Sequence, residues 1–393
     1  MANIEFSEEE LSKRLEKIRD QISERGLNAL IVASSSPAQS FTNHGNVRYL
    51  TGFVHRYGPT LMVLPLQGDL TLYASLRHIA HIAKTLSIVK DVRLSSPSNW
   101  GKEVRKRLDE LGIRDGIGLV GMSSIQHSLY ESVKEAFPGT DLVNADDVFE
   151  AARMIKSPGE IELMRKSAHL ADLMFESLTR SAKDGEWIYK VRAAMLYAAD
   201  SEGAEYSDVF IASEPNVVYG QTLMGYTPQE TWRRFRSGDQ VLSSVYTVFQ
   251  GYWCQELRTG TIGEPSSQQR DVFNMALEAH DAALNVIKPG AQAAAIGQAA
   301  FNVLKKSGLE VAIRLGHGLG LDYVENPLTR AFPQPIVGGE PDLTVKLQEG
   351  MTLEVHVFTL DPELKRPSVA LGDVCLVTDA GVEQLTKFSR DLF

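Results

Sequence analysis

Glu354 and His356 stand two apart in the apolar run Thr352-Leu353-Glu354-Val355-His356-Val357-Phe358. Side chains alternate between faces along a strand, so both would point the same way. A carboxylate beside an imidazole shifts the proton affinity of each, which is what a proton-transfer site requires. His317 lies in Gly316-His317-Gly318-Leu319-Gly320, where small neighbours let backbone and substrate approach closely. His317 is therefore the expected principal acid or base, with Glu354 orienting it or the substrate. The plainer reading of His356 is a partly buried strand residue.

Other reactive groups read as inert. The chain has 2 cysteines, Cys254 and Cys375, too few for a structural zinc site. Cys254 could be a nucleophile, but a buried thiol is the commoner outcome. His78 and His81 have the spacing of a metal pair on one helix face, yet no third ligand accompanies them. His280 falls on a packed stripe with Phe273, Ala276, Ala283 and Ile287.

The elements that must position these groups follow from hydrophobic period and caps. The first part of the chain alternates helical and strand patterns: an amphipathic helix over 8–25, a buried strand over 28–33, a hairpin joining 60–65 to 70–73, and helices near 100–112 and 127–136 around a strand at 117–121. The segment 47–52 ends in a turn. Ser157-Pro158-Gly159-Glu160 is a strong helix start, and Ile161, Met164, Ala168, Ala171 and Phe175 continue it on one face. Helices over 186–202, 267–287 and 293–307 alternate with strand-like runs at 206–213, 240–260 and through 310–388. The helix-helix-strand-strand order occurs twice, which hints at two related halves.

Bulk composition narrows the classes. The 393 residues suggest two domains, and 43% hydrophobic with 23% charged content is ordinary for packed cores. A formal charge of -10 argues against a nucleic-acid partner. No apolar run reaches the ~20 residues of a membrane helix. The charged start of the chain lacks the apolar stretch of a signal peptide, so a cytoplasmic protein is expected.

Local signatures in a fixed order carry a resemblance. They are Tyr49-Leu50-Thr51-Gly52-Phe53, the segment 153–162, Ser237-Gly238-Asp239, the segment 251–259, Val286-Ile287-Lys288-Pro289-Gly290, the segment 316–321, Glu325-Asn326-Pro327, the segment 349–354 and the segment 372–381. Together they resemble the creatinase/aminopeptidase P/prolidase, or pita-bread, superfamily. The resemblance implies an α/β chain: an N-terminal creatinase-like domain over 1–155, then a C-terminal α+β pita-bread domain over 156–393, with two related halves and a curved antiparallel sheet covered by helices.

In metal-dependent members of that superfamily, two aspartates, a histidine and two glutamates hold two ions. Carried over position by position, those places hold Ser244, Gln255, His317, Glu354 and Gly372. His317 and Glu354 are kept. Glu256 is one residue out of register and should face the other side of its strand; a bulge could rescue it, as could Asp373. With so few ligands no metal and no other cofactor is expected.

The main expectation is then a metal-independent, creatinase-like hydrolase that cleaves a C–N bond in a small, polar, carboxylated metabolite. Creatine itself does not fit. The place of creatinase's proton-shuttling histidine holds Gln221, and a guanidinium-holding carboxylate is replaced by Leu257. Ser244 and Gln255 would hydrogen-bond substrate, and Tyr246 and Tyr252 would offer phenol donors. Arg258 belongs to the strand motif and could bind a carboxylate or form a structural ion pair. The resemblance further implies a homodimer in which Arg56, with His55 beside it, reaches the partner's site. Three alternatives stay open: a lyase or decarboxylase using the same pocket, a non-catalytic binding protein, and a metal-dependent Xaa-Pro-type peptidase with shifted ligands.

Overall fold

The computed structural model describes residues 6–35, 45–56, 58–122, 125–140, 142–215, 217, 232–311, 315–329 and 344–393. They fall into two compact units, Met1–Arg153 with Leu321–Tyr323, and Met154–Gly320 with Val324–Phe393.

The first unit opens with α1 (Glu8–Glu24), capped by the Ser7 hydroxyl, which accepts from the Glu10 N–H at 3.1 Å. The helix turns Leu11, Ile18 and Ile22 inward at helical spacing. A mixed six-stranded sheet is formed by β1 (Ala29–Ser34), β2 (Thr60–Pro65), β3 (Thr71–Ala74), β4 (Asp91–Leu94), β5 (Ile117–Val120) and β6 (Val143–Asn144), in the order β4-β3-β2-β1-β5-β6. The central strands are covered on both faces, which is why β1 and β2 read as continuous apolar runs rather than alternating ones. Helices α3 (Arg77–Leu86), α4 (Trp100–Glu110), α5 (His127–Ala136) and α6 (Asp146–Met154) surround it, and Trp100, Val104 and Leu108 pack into its core. The segment at 47–52 lies in a short helix, α2 (Gly45–Thr51).

The second unit begins at the expected cap. Ser157 and Glu160 form a reciprocal capping box at the start of α7 (Pro158–Ser181). After α8 (Ile188–Asp200) come β7 (Tyr206–Glu214), β8 (Gln240–Phe249) and β9 (Tyr252–Thr261). The run at 240–260 is thus a hairpin. Its two-residue turn puts Gln250 at φ 47 and Gly251 at φ 91, the left-handed pair that suits a twisted ladder. The order then recurs with α9 (Ser267–Asn285), α10 (Ala294–Lys306), β10 (Glu310–Val311), β11 (Gly316–Gly318), β12 (Glu325–Leu328), β13 (Thr352–Leu360), β14 (Ala370–Thr378) and β15 (Gly381–Gln384).

These strands form one antiparallel sheet, β12-β11-β13-β14-β9-β8-β7, with β10 against β13 and β15 against β14. One face is covered by helices. Leu353, Val355, Val357, Leu371, Cys375 and Val377 turn toward α9 and α10 in a shared core. Each such aliphatic burial contributes about 1.5–3 kcal/mol over exposure. The alternate residues of β13 and β14 go to the opposite face, and that face carries the candidate chemistry. No helix of the described residues is long and apolar enough to cross a membrane.

Candidate active site

Strand alternation places the acid-base residues. With Leu353, Val355 and Val357 held in the core, Glu354, His356 and Phe358 must project from the other face of β13. β11 pairs with β13 so that His317 lies directly across from Glu354. The glycine before it is required. Gly316 has φ 126, and a Cβ there would stand 2.2 Å from the Glu354 carbonyl oxygen.

The result is a carboxylate between two imidazoles, all buried. His317 Nε2 lies 2.7 Å from Glu354 Oε2, and His356 Nδ1 lies 2.8 Å from Glu354 Oε1. His317 Nδ1 faces the Gly318 carbonyl at 2.7 Å, so that nitrogen carries a proton and Nε2 is the one presented to the carboxylate. Burial alone would raise the Glu354 pKa. The charges of His356 and His317, and their hydrogen bonds, outweigh it and hold the carboxyl far below the usual carboxylate range. An ionised carboxylate flanked by two imidazoles can hold, give and take back a proton. Phe358 sets its ring edge-on to His356 at 5.3 Å.

A second polar group is built by β8 and β9. Tyr246 is registered opposite Gln255, and Ser244 opposite Leu257. The Gln255 amide donates to Ser244 Oγ and to Tyr246 Oη, each at 2.9 Å. Tyr246 is braced by the edge of Phe210 at 5.3 Å. The structure therefore brings together six of the expected residues as two groups on one face, His317, Glu354 and His356 on one side and Ser244, Tyr246 and Gln255 on the other.

Three expectations are corrected. Tyr252, Glu256 and Arg258 lie on the helix-covered face, because they alternate with Gln255 and Leu257 along β9. Tyr252 donates to Glu160 at 2.9 Å, under the start of α7. Glu256 and Arg258 are fully buried side by side, with Arg258 bonded to Asp373 at 2.7 Å. None of the three can reach a substrate on the opposite face. Of the others, Arg56 is exposed and His55 buried in the first unit, where burial lowers the His55 pKa. Gln221 lies outside the described residues. Cys254 is buried and its thiol is pushed well up by desolvation, as expected of an inert thiol.

The five places where relatives would carry metal ligands can be tested for fit. Ser244 and Gln255 are bonded to each other. Gly372 has no side chain, and its space is filled: a Cβ there would stand 2.4 Å from Leu257 Cδ1 and 2.8 Å from His356 Cβ. Both oxygens of Glu354 are engaged by imidazoles. Glu256 and Asp373, the residues that could have shifted in, face the helices and meet Arg258. Among the described residues, no group of three or more His, Cys, Asp or Glu side chains is placed to hold an ion. The residues present do not fit the two-ion centre. Phe358 was missed as a site neighbour, although continuing the period of two beyond His356 finds it; Leu257 was placed at a site position, but nothing in the sequence signals that it fills the space over Gly372.

Comparison with known proteins agrees with the fold. The profile of Metallopeptidase family M24 matches residues 162–379, and that of the Creatinase/Prolidase N-terminal domain matches 14–155. An Xaa-Pro dipeptidase of Pyrococcus horikoshii is 25% identical over 97% of this chain and 99% of its own length. One of Pyrococcus furiosus is 26% identical over 97% and 100%. The crystal structure of recombinant prolidase from Thermococcus sibiricus superposes with a TM-score of 0.81 at 22% identity, covering 97% of this chain and 98% of that one. The pita-bread fold with a creatinase-like N-terminal domain is thereby established. The same findings overturn the expectation of a metal-independent C–N hydrolase of a small carboxylated metabolite. The matching family is one of metallopeptidases and the relatives are named Xaa-Pro dipeptidases, so these findings back the alternative of a metal-dependent Xaa-Pro-type peptidase instead.

Proposed function

The chain belongs to metallopeptidase family M24, and from that premise we propose that it hydrolyses the peptide bond of small dipeptides of the Xaa-Pro type. The observation that carries this reading is the buried Glu354 carboxylate held between His317 and His356 on the helix-free face of the sheet. Amide hydrolysis needs a proton removed from the attacking water and a proton supplied to the departing nitrogen. His317 and Glu354 exchange a proton across 2.7 Å, and His356 steadies the charge that remains on the carboxylate. The Ser244–Gln255–Tyr246 group offers neutral donors and acceptors to the polar ends of a dipeptide. As a further part of this reading, two copies of the chain associate, and Arg56 with His55 of one copy serves the substrate carboxylate of the other.

The test is direct. The purified protein is incubated with a panel of Xaa-Pro dipeptides, in parallel with a chelator and with added Mn2+ or Zn2+, and free proline is measured. Release of proline from at least one peptide, lost in Glu354→Gln, is the expected result. No proline from any peptide under any of these conditions overturns the reading.

A further inference from the structure

The nine-stranded sheet has a seam. β8 and β9 pair without a break over 240–249, and β13 and β14 pair over 352–358. Between β9 and β14, where one half of the sheet meets the other, a single registered pair occurs among the described residues, Gly372 opposite Leu257. The two polar groups of the candidate site lie on opposite sides of this seam. Ser244, Tyr246 and Gln255 belong to β8 and β9, and His317, Glu354 and His356 to β11 and β13.

Side chains stand in where the ladder stops. The Thr259 hydroxyl donates to the Ala370 carbonyl at 2.9 Å and accepts from the Ala370 N–H at 2.9 Å. One hydroxyl thus supplies the donor and the acceptor that a facing backbone residue would otherwise present. One residue back, Arg258 Nη1 donates to the Leu257 carbonyl at 2.8 Å and to the Gly372 carbonyl at 2.7 Å, joining the two strands at their one registered pair. The same guanidinium is fixed by Asp373 Oδ1 and the Phe388 carbonyl, each 2.7 Å from Nη2, and by the Ser389 carbonyl, 2.9 Å from Nε. Its planar fork is held rigidly enough to act as a spacer. Gly372 is also registered opposite His356, so a shift at the seam moves the acid-base group directly.

We infer that Arg258 and Thr259 are positioning residues: they set the distance between the two half-sites by stapling the seam from the buried sheet, without touching substrate. This rests on the dipeptidase reading for its kinetic test but not for its spectroscopic one. The proposal assigns misplacement, not loss of a reacting group, to their removal. Ångström-scale misplacement of reacting groups costs up to about a hundredfold in rate.

The decisive variants are Thr259→Val, which keeps shape and removes the hydroxyl, and Thr259→Ser, which restores it; Arg258→Lys is the companion at the guanidinium. Thermal unfolding first confirms that each is folded. The kinetic expectation for Thr259→Val is a kcat loss of about ten- to a hundredfold that exceeds any change in KM, with kcat recovered in Thr259→Ser. Independently, the imidazole ring resonances of His317 and His356 in histidine-labelled protein should shift in Thr259→Val and return in Thr259→Ser. A Thr259→Val protein with wild-type kcat, or a Thr259→Ser protein no better than Thr259→Val, overturns the inference. If the wild type cleaves no dipeptide, the functional reading fails, and the ring resonances alone decide: unmoved in Thr259→Val, they overturn this inference too.

Discussion

Glu256 and Glu354 are both fully buried, both in the middle of strands of one sheet, and their pKa values are pushed in opposite directions. Glu354 has two imidazoles, one for each oxygen, and its pKa is driven down against the effect of burial. Glu256 has burial as its largest influence and its pKa is raised well above the ordinary value. Arg258 stands 2.6 Å away, but the guanidinium is shared. Both protons of Nη2 go to Asp373 and to the Phe388 carbonyl, and no hydrogen bond reaches either Glu256 oxygen. The Arg258 charge outweighs burial at Asp373 and lowers its pKa, whereas at Glu256 burial prevails and the pKa is raised. The same side chain in the same sheet is favoured as an anion on one face and disfavoured as one on the other, according to how many partners it must share.

The largest expected effect separates the two acids by turnover. Glu354→Gln removes the group that exchanges protons with His317, and kcat should fall by about 10²–10⁴-fold. Glu256→Gln, on the covered face, should leave kcat close to wild type. Comparable losses in both variants, measured under saturating substrate, would erase the functional distinction between the faces.

Next in size is the buried cation. Arg258→Met strands Asp373 in the core, and removing one partner of a buried pair costs about 3–5 kcal/mol. Urea unfolding of wild type and variant measures it. The double variant Arg258→Met with Asp373→Asn should recover much of the loss. A full loss that persists in the double variant would locate the role of Arg258 in its backbone bonds instead.

The two carboxyls should also pull stability in opposite directions with pH. The Glu354 pKa is lower folded than unfolded, so its contribution is present above the ordinary value of 4.5 and is lost as pH falls below it. The Glu256 pKa is higher folded than unfolded. As pH rises past 4.5 the unfolded carboxyl ionises while the folded one stays neutral, which favours unfolding. Each unit of separation is worth about 1.4 kcal/mol. Unfolding free energies from about pH 3 to about pH 8 should therefore show the deficit of Glu354→Gln growing up to about pH 5 and constant above it, and Glu256→Gln rising progressively above wild type from about pH 4.5 upward. Parallel curves would mean that neither pKa differs between the folded and unfolded states.

This contrast also marks what the sequence could convey. The capping box at Ser157 and the shared face of Glu354 and His356 depend on neighbours three and two residues away, and both were legible. The pita-bread fold was legible because many short signatures occur in order. The out-of-register position of Glu256 pointed to the covered face, yet Glu256, Arg258 and Tyr252 were still expected to meet substrate. Alternation assigns relative faces; only the packed α7 and α9 say which face is closed. The side-chain seam at Thr259 was illegible for a related reason. It depends on Ala370, more than a hundred residues away, and on where a backbone ladder stops. The metal-independent reading failed differently. A ligand set that departs from the relatives' does not name a reaction, and the relatives' names do.

The smallest effect is the most specific, because it compares two tyrosines that differ in face alone. Tyr252 donates to Glu160 at the capping box, and Tyr246 accepts from Gln255 beside Ser244. Tyr252→Phe should cost about 1 kcal/mol, the worth of one buried hydrogen bond, and leave KM and kcat unchanged. Tyr246→Phe removes an acceptor from the Gln255 amide on the reactive face, so it should raise KM at little cost in stability. Thermal melts and steady-state kinetics on one good dipeptide read both. An unaltered KM in Tyr246→Phe, together with a raised one in Tyr252→Phe, would invert the assignment of the faces, since no packing of α7 against β9 lets the Tyr252 hydroxyl serve both Glu160 and a substrate on the far side of the strand.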